Sequence, residues 1–185
     1  MDNENKLRGL KKHAREINKV VVDSLKEALV ILLKTKPYDK ITIMELCFKA
    51  GVSRMAFYGN FTSKDDILTR IVVDLNDLLV ERVGSPFRKN TDEAWFLETF
   101  KLVEENVDTI TCLLDLGFQN EYLNLVNKQV LHDTEISNDK KYQRIIWAGG
   151  LLNSIIYWLR AGMKPSKEEM AKFCNDNLVS WNKLV

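Results

Sequence analysis

Apolar residues recur along this chain at the spacing of α-helices. The clearest stripe covers residues 17–33, where apolar positions repeat at intervals of three and four and Ser24 is the one small polar member. Such a stripe predicts an amphipathic helix of about five turns that ends before Pro37. A second stripe, from Ile67 to Leu79, predicts another long helix. No segment alternates β-branched and polar residues as strands do, so we expect an all-α protein.

One segment, residues 42–64, carries the signals of two short helices joined by a tight turn. It reads TIMELCFKAGVSRMAFYGNFTSK. Thr42 and Ser53 each stand where an N-cap residue begins a helix, and Gly51 between them suits the left-handed conformation that follows a helix end. Ser63 opens a further helix in the same way. Two short helices with a glycine turn are typical of a helix-turn-helix, whose second helix enters the major groove of DNA.

Residues 42–68 resemble the DNA-binding signature of TetR-family transcriptional repressors. In that family a threonine opens the first helix of the motif, Ala-Gly-Val-Ser forms the turn, and Ser-Lys followed by two acidic residues starts the next helix. The resemblance implies an all-α, TetR-like fold of about nine helices. It places a three-helix helix-turn-helix domain at residues 1–70, with the motif at 42–61. A C-terminal helical domain for effector binding and dimerisation would occupy residues 71–185.

The first turn of the second motif helix is the part that meets base edges. It holds Ser53, Arg54, Met55 and Ala56. The guanidinium fork of Arg54 matches guanine O6 and N7, although a phosphate contact suits the same side chain equally well. Met55 and Ala56 can touch a thymine methyl group. We therefore expect this turn to carry the sequence recognition.

By their positions in the family pattern, four further side chains are expected to hold phosphates: Thr42, Tyr58, Asn60 and Lys64. Each is a hydrogen-bond donor, and helix starts attract phosphate. Two positions depart from the family. Gly59 stands where a large or basic side chain is usual, and Asn60 stands where histidine is common. Gly59 thus loses a potential contact to a base or sugar, which bears on affinity and on which bases are read.

The second half of the chain contains aromatic residues that suit a ligand pocket. Taken one at a time, each of them suits a plain core position equally well. The candidate pocket walls are Trp95, Phe96, Phe100, Phe118, Tyr122 and Trp147. No buried charge that would identify a ligand can be picked out.

The last two predicted helices cover residues 142–162 and the stretch that begins at Ser166. They are apolar enough to leave a patch exposed in a monomer. Isologous packing against the same helices of a second copy would cover that patch, and the family resemblance implies the same homodimer. The two adjacent glycines of the first of these helices favour the close approach of a neighbouring helix. The residues expected at the dimer interface are Gly149, Leu152, Asn153, Ile156, Phe173, Asn177 and Trp181.

Charge is distributed unevenly between the two halves. Residues 1–70 hold fourteen Lys and Arg against nine Asp and Glu, whereas the rest of the chain holds thirteen against seventeen. A basic end on an acidic body suits a protein that meets phosphates at one end. The basic run before the first apolar stripe is either a solvated, partly frayed tail or an additional phosphate-contacting arm. Its members are Lys6, Arg8, Lys11, Lys12, His13, Arg15 and Lys19.

The chain lacks the residues that several other classes of protein need. The only histidines, His13 and His132, lie on separate elements, and no glycine-rich phosphate loop occurs. We therefore expect no enzyme, no metal and no cofactor. The cysteines, Cys47, Cys112 and Cys174, stand in apolar contexts typical of reduced, buried thiols. No apolar run is long enough to span a membrane and the polar N-terminus is unlike a signal peptide, so we expect a cytoplasmic protein.

These observations together predict a DNA-binding transcriptional regulator. The resemblance implies a homodimeric repressor that binds a palindromic operator in double-stranded DNA and is released by a small-molecule effector. Two other classes stay open. The C-terminal domain could bind a protein partner, which would make the chain a TetR-like adaptor or coactivator. Alternatively, the chain could carry an apolar ligand without binding DNA.

Overall fold

The computed structural model of this protein describes residues 2–87, 91–132 and 134–178. These residues form nine α-helices and no β-strand, so the predicted all-α class is confirmed. A short 3-10 turn, Tyr38–Lys40, precedes the second helix. The helices are α1 (Asp2–Leu33), α2 (Ile43–Ala50), α3 (Arg54–Tyr58), α4 (Lys64–Val83), α5 (Glu93–Glu105), α6 (Val107–Asp115), α7 (Gln119–His132), α8 (Asn138–Arg160) and α9 (Lys167–Leu178).

The chain divides into two compact units, Met1–Ile71 and Val72–Val185. Helix α4 is one continuous element, with residues 64–71 in the first unit and residues 72–83 in the second. The roles assigned from sequence to the two halves, which are DNA binding for one and effector binding with dimerisation for the other, stay predictions.

Helices α1, α2 and α3 pack against one another in the first unit. The second half of α1 follows the predicted spacing, with Leu25, Ala28, Leu29 and Leu32 turned inward. Burial of apolar surface contributes about 25 cal/mol for each Å² removed from water, so this stripe stabilises the packing of α1 against the motif. The remaining core residues of this unit are Ile41, Leu46, Cys47, Phe57, Phe61, Ile67, Leu68 and Ile71.

The predicted start of the first helix near residue 17 is wrong, because α1 begins at Asp2. The side chains of residues 5–20 are exposed, so this stretch receives no support from a core. Its lysines, arginines and leucines have high helix propensity, and propagation from the buried second half adds one hydrogen bond for each residue fixed. The basic run is therefore part of a solvent-exposed helix, and its contact with phosphates stays a prediction.

In the second unit α9 packs against α5, and α8 packs against α6 and α7. Two core tryptophans donate their indole N–H groups to backbone carbonyls. Trp95 Nε1 donates to Gly84 O at 3.1 Å, and Trp158 Nε1 donates to Pro165 O at 2.7 Å. The buried ring of Phe100 meets Trp158 edge-on, with centroids 5.1 Å apart. These contacts fix the loops after α4 and after α8 to the aromatic core.

Reciprocal capping boxes begin both α4 and α9. Ser63 Oγ accepts the Asp66 N–H and the Asp66 carboxylate accepts the Ser63 N–H, both at 3.2 Å, so the predicted Ser63 cap is confirmed. Ser166 and Glu169 exchange the same pair of bonds. Hydrogen bonds from Thr62, and then from Ser63, hold the pKa of the Asp66 carboxyl below its usual range. The carboxylate is therefore ionised at neutral pH and favourably placed at a helix N-terminus.

Candidate nucleic-acid interface and ligand cavity

The capping residues of the motif adopt the geometry that the sequence predicts. Thr42 Oγ1 accepts the Glu45 N–H at 3.2 Å, and Ser53 Oγ accepts the Ala56 N–H at 3.0 Å. Gly51 has a φ of 67°, the left-handed conformation in which most other residues would be strained. The turn between α2 and α3 is thereby fixed at both ends.

Helix α3 is short, and its orientation depends on a buried aromatic side chain. Phe57 is fully buried, and its ring centroid lies 6.1 Å from that of Phe61, which is also in the core. In contrast, Arg54, Met55 and Tyr58 are exposed, Met55 over 83% of its surface. These three side chains, which are expected to meet bases and phosphates, therefore project into solvent from a helix that Phe57 anchors.

Two of the residues expected to hold phosphates already have partners inside the protein. Asn60 Nδ2 donates to Ala56 O at 2.9 Å. Lys64 Nζ donates to Tyr38 O at 2.8 Å and to Ile41 O at 2.6 Å. The same ammonium lies 4.3 Å from the centroid of the Tyr38 ring. An ammonium group has three N–H donors, so Lys64 retains one that donates to no carbonyl. Its two bonds also connect the first turn of α4 to the segment that precedes α2.

An exposed apolar pair on α2 was missed by the sequence reasoning. Met44 and Phe48 stand four residues apart, and Phe48 is exposed over 88% of its surface. Both lie outside the buried face of α2, which is formed by Leu46 and Cys47. The signal that could have found them is their position off this apolar stripe, where polar residues are expected. They place apolar surface on the helix that packs against α3.

Gly59 follows α3 in a conformation that any residue can adopt. Its φ is −71°, and the atoms that an added Cβ would meet within 4 Å are Met55 O, at 3.3 Å, and Ala56 O. We expect Gly59→Lys to strengthen DNA binding, because it adds a cation next to the exposed Tyr58 and replaces a residue that weakens helices. In a plot of log K against log salt concentration, the slope for a dimer should steepen by about two units, one for each added lysine.

Gly59→Ala is the matched control for this substitution, since it adds the same Cβ without a charge. It should leave the salt dependence of DNA binding unchanged. A Gly59→Lys protein with the wild-type salt slope would show that position 59 does not face the phosphates.

The second unit contains an apolar cavity of about 140 Å³, walled by the second-unit part of α4, by the loop after it and by α5, α6, α7 and α8. The predicted pocket residues that line it are Trp95, Phe118 and Tyr122. Those that lie in the core without lining it are Phe96, Phe100 and Trp147. Phe96 and Phe100 each follow a lining residue of α5 by one position, and a rotation of about 100° around the helix turns them away from the cavity.

The cavity wall carries no charged side chain in the described part of the chain. Burial raises the pKa of the Tyr122 phenol to about 12, so this group is neutral at physiological pH. Thr99 Oγ1 already donates to Trp95 O at 2.9 Å. Gln119 Oε1, in contrast, is buried and accepts no hydrogen bond from the described residues. Gln119 is one of the lining residues, so the wall includes an acceptor that lacks a donor and is covered by the surrounding atoms.

A stripe on one face of α8, which we call the α8 stripe, consists of the exposed residues Tyr142, Ile146, Asn153 and Tyr157 and the half-buried Gly149. These positions repeat at intervals of three and four, so they share one face of the helix. Tyr157 is exposed over 75% of its surface. The three large members of the stripe were missed by the sequence reasoning, which gave weight to the glycines between them.

The other residues expected at a dimer interface are placed differently. On α9, Phe173 and Asn177 are exposed. Ile156 is half-buried next to the α8 stripe. Leu152 lines the cavity instead of the stripe, because it precedes Asn153 of the stripe by one position and a rotation of about 100° around the helix turns it toward the interior. The expected contribution of Trp181 lies outside the described residues.

Three further sequence predictions concern the cysteine thiols, membrane-spanning helices and metal ions. Cys47 and Cys174 are buried as expected, whereas Cys112 is half-buried. No described helix is long and apolar enough to cross a lipid bilayer. Within the same part of the chain, no group of three or more His, Cys, Asp and Glu is arranged to hold a metal ion.

Two family models match the chain. The family described as bacterial regulatory proteins, tetR family, matches residues 26–71, and the transcriptional regulator C-terminal region matches residues 90–179. A TetR transcriptional regulator from Streptococcus agalactiae 2603V is similar in structure, with 24% identity and a TM-score of 0.59 over 91% of this chain and 98% of that chain. The dihydroxyacetone kinase operon activator DhaS has 16% identity and a TM-score of 0.60 over 89% of this chain and 97% of that chain.

A capped helix-turn-helix whose second helix presents its first turn to solvent defines the class of helix-turn-helix DNA-binding proteins. The two family matches are more specific, and the chain belongs to the TetR family of transcriptional regulators. No curated protein matches it in sequence. Members of the family bind operator DNA and dimerise, and they are regulators rather than enzymes. The predicted DNA-binding transcriptional regulator is therefore confirmed.

Proposed function

We propose that this protein is a repressor that binds a palindromic operator as a homodimer and leaves it when a small molecule occupies the cavity of its second unit. The course of α4 is the observation that supports this most directly. The helix begins at Lys64, directly after the motif, and five of its residues between Val72 and Val80 line the cavity. A ligand in the cavity would therefore touch the same continuous helix that starts beside the recognition helix in sequence.

On the operator, Arg54 would read a guanine, and Thr42, Tyr58, Asn60 and Lys64 would hold phosphates. This assignment is supported by the exposure of the first turn of α3 and by the donor that Lys64 retains. Two copies related by a two-fold axis would place their α3 helices about 34–36 Å apart, or a multiple of that distance, on a palindrome.

The dimer would form through the α8 stripe together with Phe173 and Asn177 of α9. A Cβ added to Gly149 would meet no atom within 4 Å, so packing inside one protomer does not require a glycine there. A glycine in the middle of an exposed helix costs about 1 kcal/mol relative to alanine. Close approach of the same helix from a second copy is a reason for keeping it.

Release would be a shift of population between two arrangements of the dimer. A ligand that binds the DNA-incompetent arrangement more tightly moves the equilibrium toward that arrangement. The size of the shift is set by the difference between the ligand's affinities for the two arrangements. Within the first unit, the contacts at the start of α4 connect this helix to the segment that precedes α2. Lys64 donates to two carbonyls before α2, and the Tyr38 hydroxyl donates to Asp65, so displacement of this turn would disturb the start of the motif.

Nuclease protection of the DNA that flanks the coding region tests this proposal. We expect a protected palindrome, an affinity that falls steeply as salt rises, and a higher transcript level from that promoter when the protein is absent. An affinity for DNA that is absent or insensitive to salt would instead favour an apolar-ligand carrier. Promoter activity that changes only when a second protein is supplied would favour the adaptor or coactivator.

A further inference from the structure

Taking the cavity as the effector site of the proposed function, we infer that its ligand is a small, uncharged, mainly apolar molecule, about one aromatic ring in size, that donates one hydrogen bond to Gln119. Three properties of the cavity support this assignment: its volume, the lack of charge in its wall, and the unpaired acceptor of Gln119. Each of them excludes a different class of ligand.

The volume limits the size of the ligand. The cavity measures about 140 Å³. An engineered apolar cavity of about 150 Å³ in another protein stays dry and binds benzene, so a space of this size holds one ring with at most a small substituent. Dinucleotides and polycyclic compounds are too large for it.

The chemistry of the wall excludes charged ligands. Apart from Asn76, Ser85, Thr99 and Gln119, the lining side chains are aliphatic or aromatic, and none of them is ionised. A carboxylate or an ammonium group would lose its hydration there without gaining a countercharge. The neutral Tyr122 phenol does not alter this balance.

The polar groups of the wall specify one hydrogen bond. Gln119 stands at the start of α7, and its Oε1 is buried without a donor. Because the surrounding atoms cover Oε1, a ligand reaches it when the Gln119 side chain turns toward the cavity. An acceptor that lacks a donor gains most from a ligand that brings an O–H or N–H group. Thr99 uses its own hydroxyl hydrogen on Trp95 O. Asn76, the other amide in the wall, is buried on α4, so a ligand held between the two amides would contact α4 and α7 together.

Phenol and toluene form a matched pair for this test, because they have nearly the same shape and differ in one O–H group. Binding is measured on the full-length protein without DNA, by calorimetry, for the wild type and for Gln119→Leu. We expect the wild type to bind both compounds. The Leu variant should keep its affinity for toluene and lose about tenfold in affinity for phenol, which is the loss of one hydrogen bond. Toluene binding thus reports that the variant cavity is intact.

Two further measurements complete the test. Benzoate, which adds a charge to the same ring, should not bind, and Ala148→Phe, which fills the wall at α8, should abolish binding of both phenol and toluene. Equal loss of phenol and toluene affinity in Gln119→Leu, no binding of either compound by the wild type, or benzoate binding as tight as that of phenol would each overturn the assignment. Phenol that binds as expected without changing operator affinity would leave the ligand class in place and contradict the proposed release from DNA.

Discussion

A protein in which Arg54 is replaced by alanine should lose about 1–3 kcal/mol of operator binding for each half-site. The side chain is exposed in the first turn of α3, where we propose a bidentate contact to guanine, and it lies outside the core. Fluorescence anisotropy with a labelled operator would measure the loss. The circular dichroism of the variant should equal that of the wild type.

Arg54→Lys separates base reading from attraction to phosphate. Lysine keeps the charge but lacks the planar fork, so we expect it to retain non-specific affinity and to lose discrimination at one base pair in each half-site. Lys128→Ala, on an exposed position of α7, is the charge-matched control for Arg54→Ala and should leave operator binding unchanged. Wild-type discrimination by Arg54→Lys would mean that Arg54 contacts a phosphate rather than a base.

Replacing Gly149 by leucine should dissociate the dimer and reduce operator affinity by about 10²–10⁴-fold. The added side chain would stand in the middle of the α8 stripe, where the proposed dimer brings the same helix of a second copy. A monomer binds only one half-site and loses the affinity that comes from binding two linked half-sites. Sedimentation velocity would measure the oligomeric state. The protomer itself should stay folded, because a Cβ at this position meets no atom within 4 Å and leucine favours helix more than glycine does.

Gly9→Leu is a matched control, since Gly9 lies on the exposed part of α1 and a Cβ there also meets no atom within 4 Å. It should change neither the dimer nor its affinity for the operator. A Gly149→Leu protein that sediments as a dimer would remove the α8 stripe from the interface and leave α9, or another surface, to form it.

The motif was predictable from sequence because its determinants are local. Thr42, Ser53 and Ser63 each accept a backbone N–H three residues away, and Gly51 relieves strain within its own turn. Contacts at such short separations depend on residue type and spacing alone. The burial of Phe57 follows in the same way from its position on a short helix that has one apolar side.

The residues that line the cavity and the exposed surfaces were less predictable from sequence, because they depend on which helices pack against one another in the folded chain. Of the six aromatic residues chosen as pocket walls, Phe96 and Phe100 are as apolar as Trp95, yet one step along α5 turns them into the core. Leu152 faces the cavity for the same reason. Gln119 carries no sequence signal at all, since the burial of its acceptor without a donor depends on how the helices of the second unit pack.

Helix α1 is continuous, but the free energy that holds it helical differs between its two halves. Its second half is held by the core that begins near Leu25, whereas the backbone hydrogen bonds of residues 5–20 depend on helix propagation alone. Melting of this first half exposes no buried side chain, so it can open and close many times during the lifetime of one folded molecule. Amide hydrogen exchange along α1 should therefore slow progressively toward Leu25, and a single free energy of unfolding for the chain would not describe its first four turns.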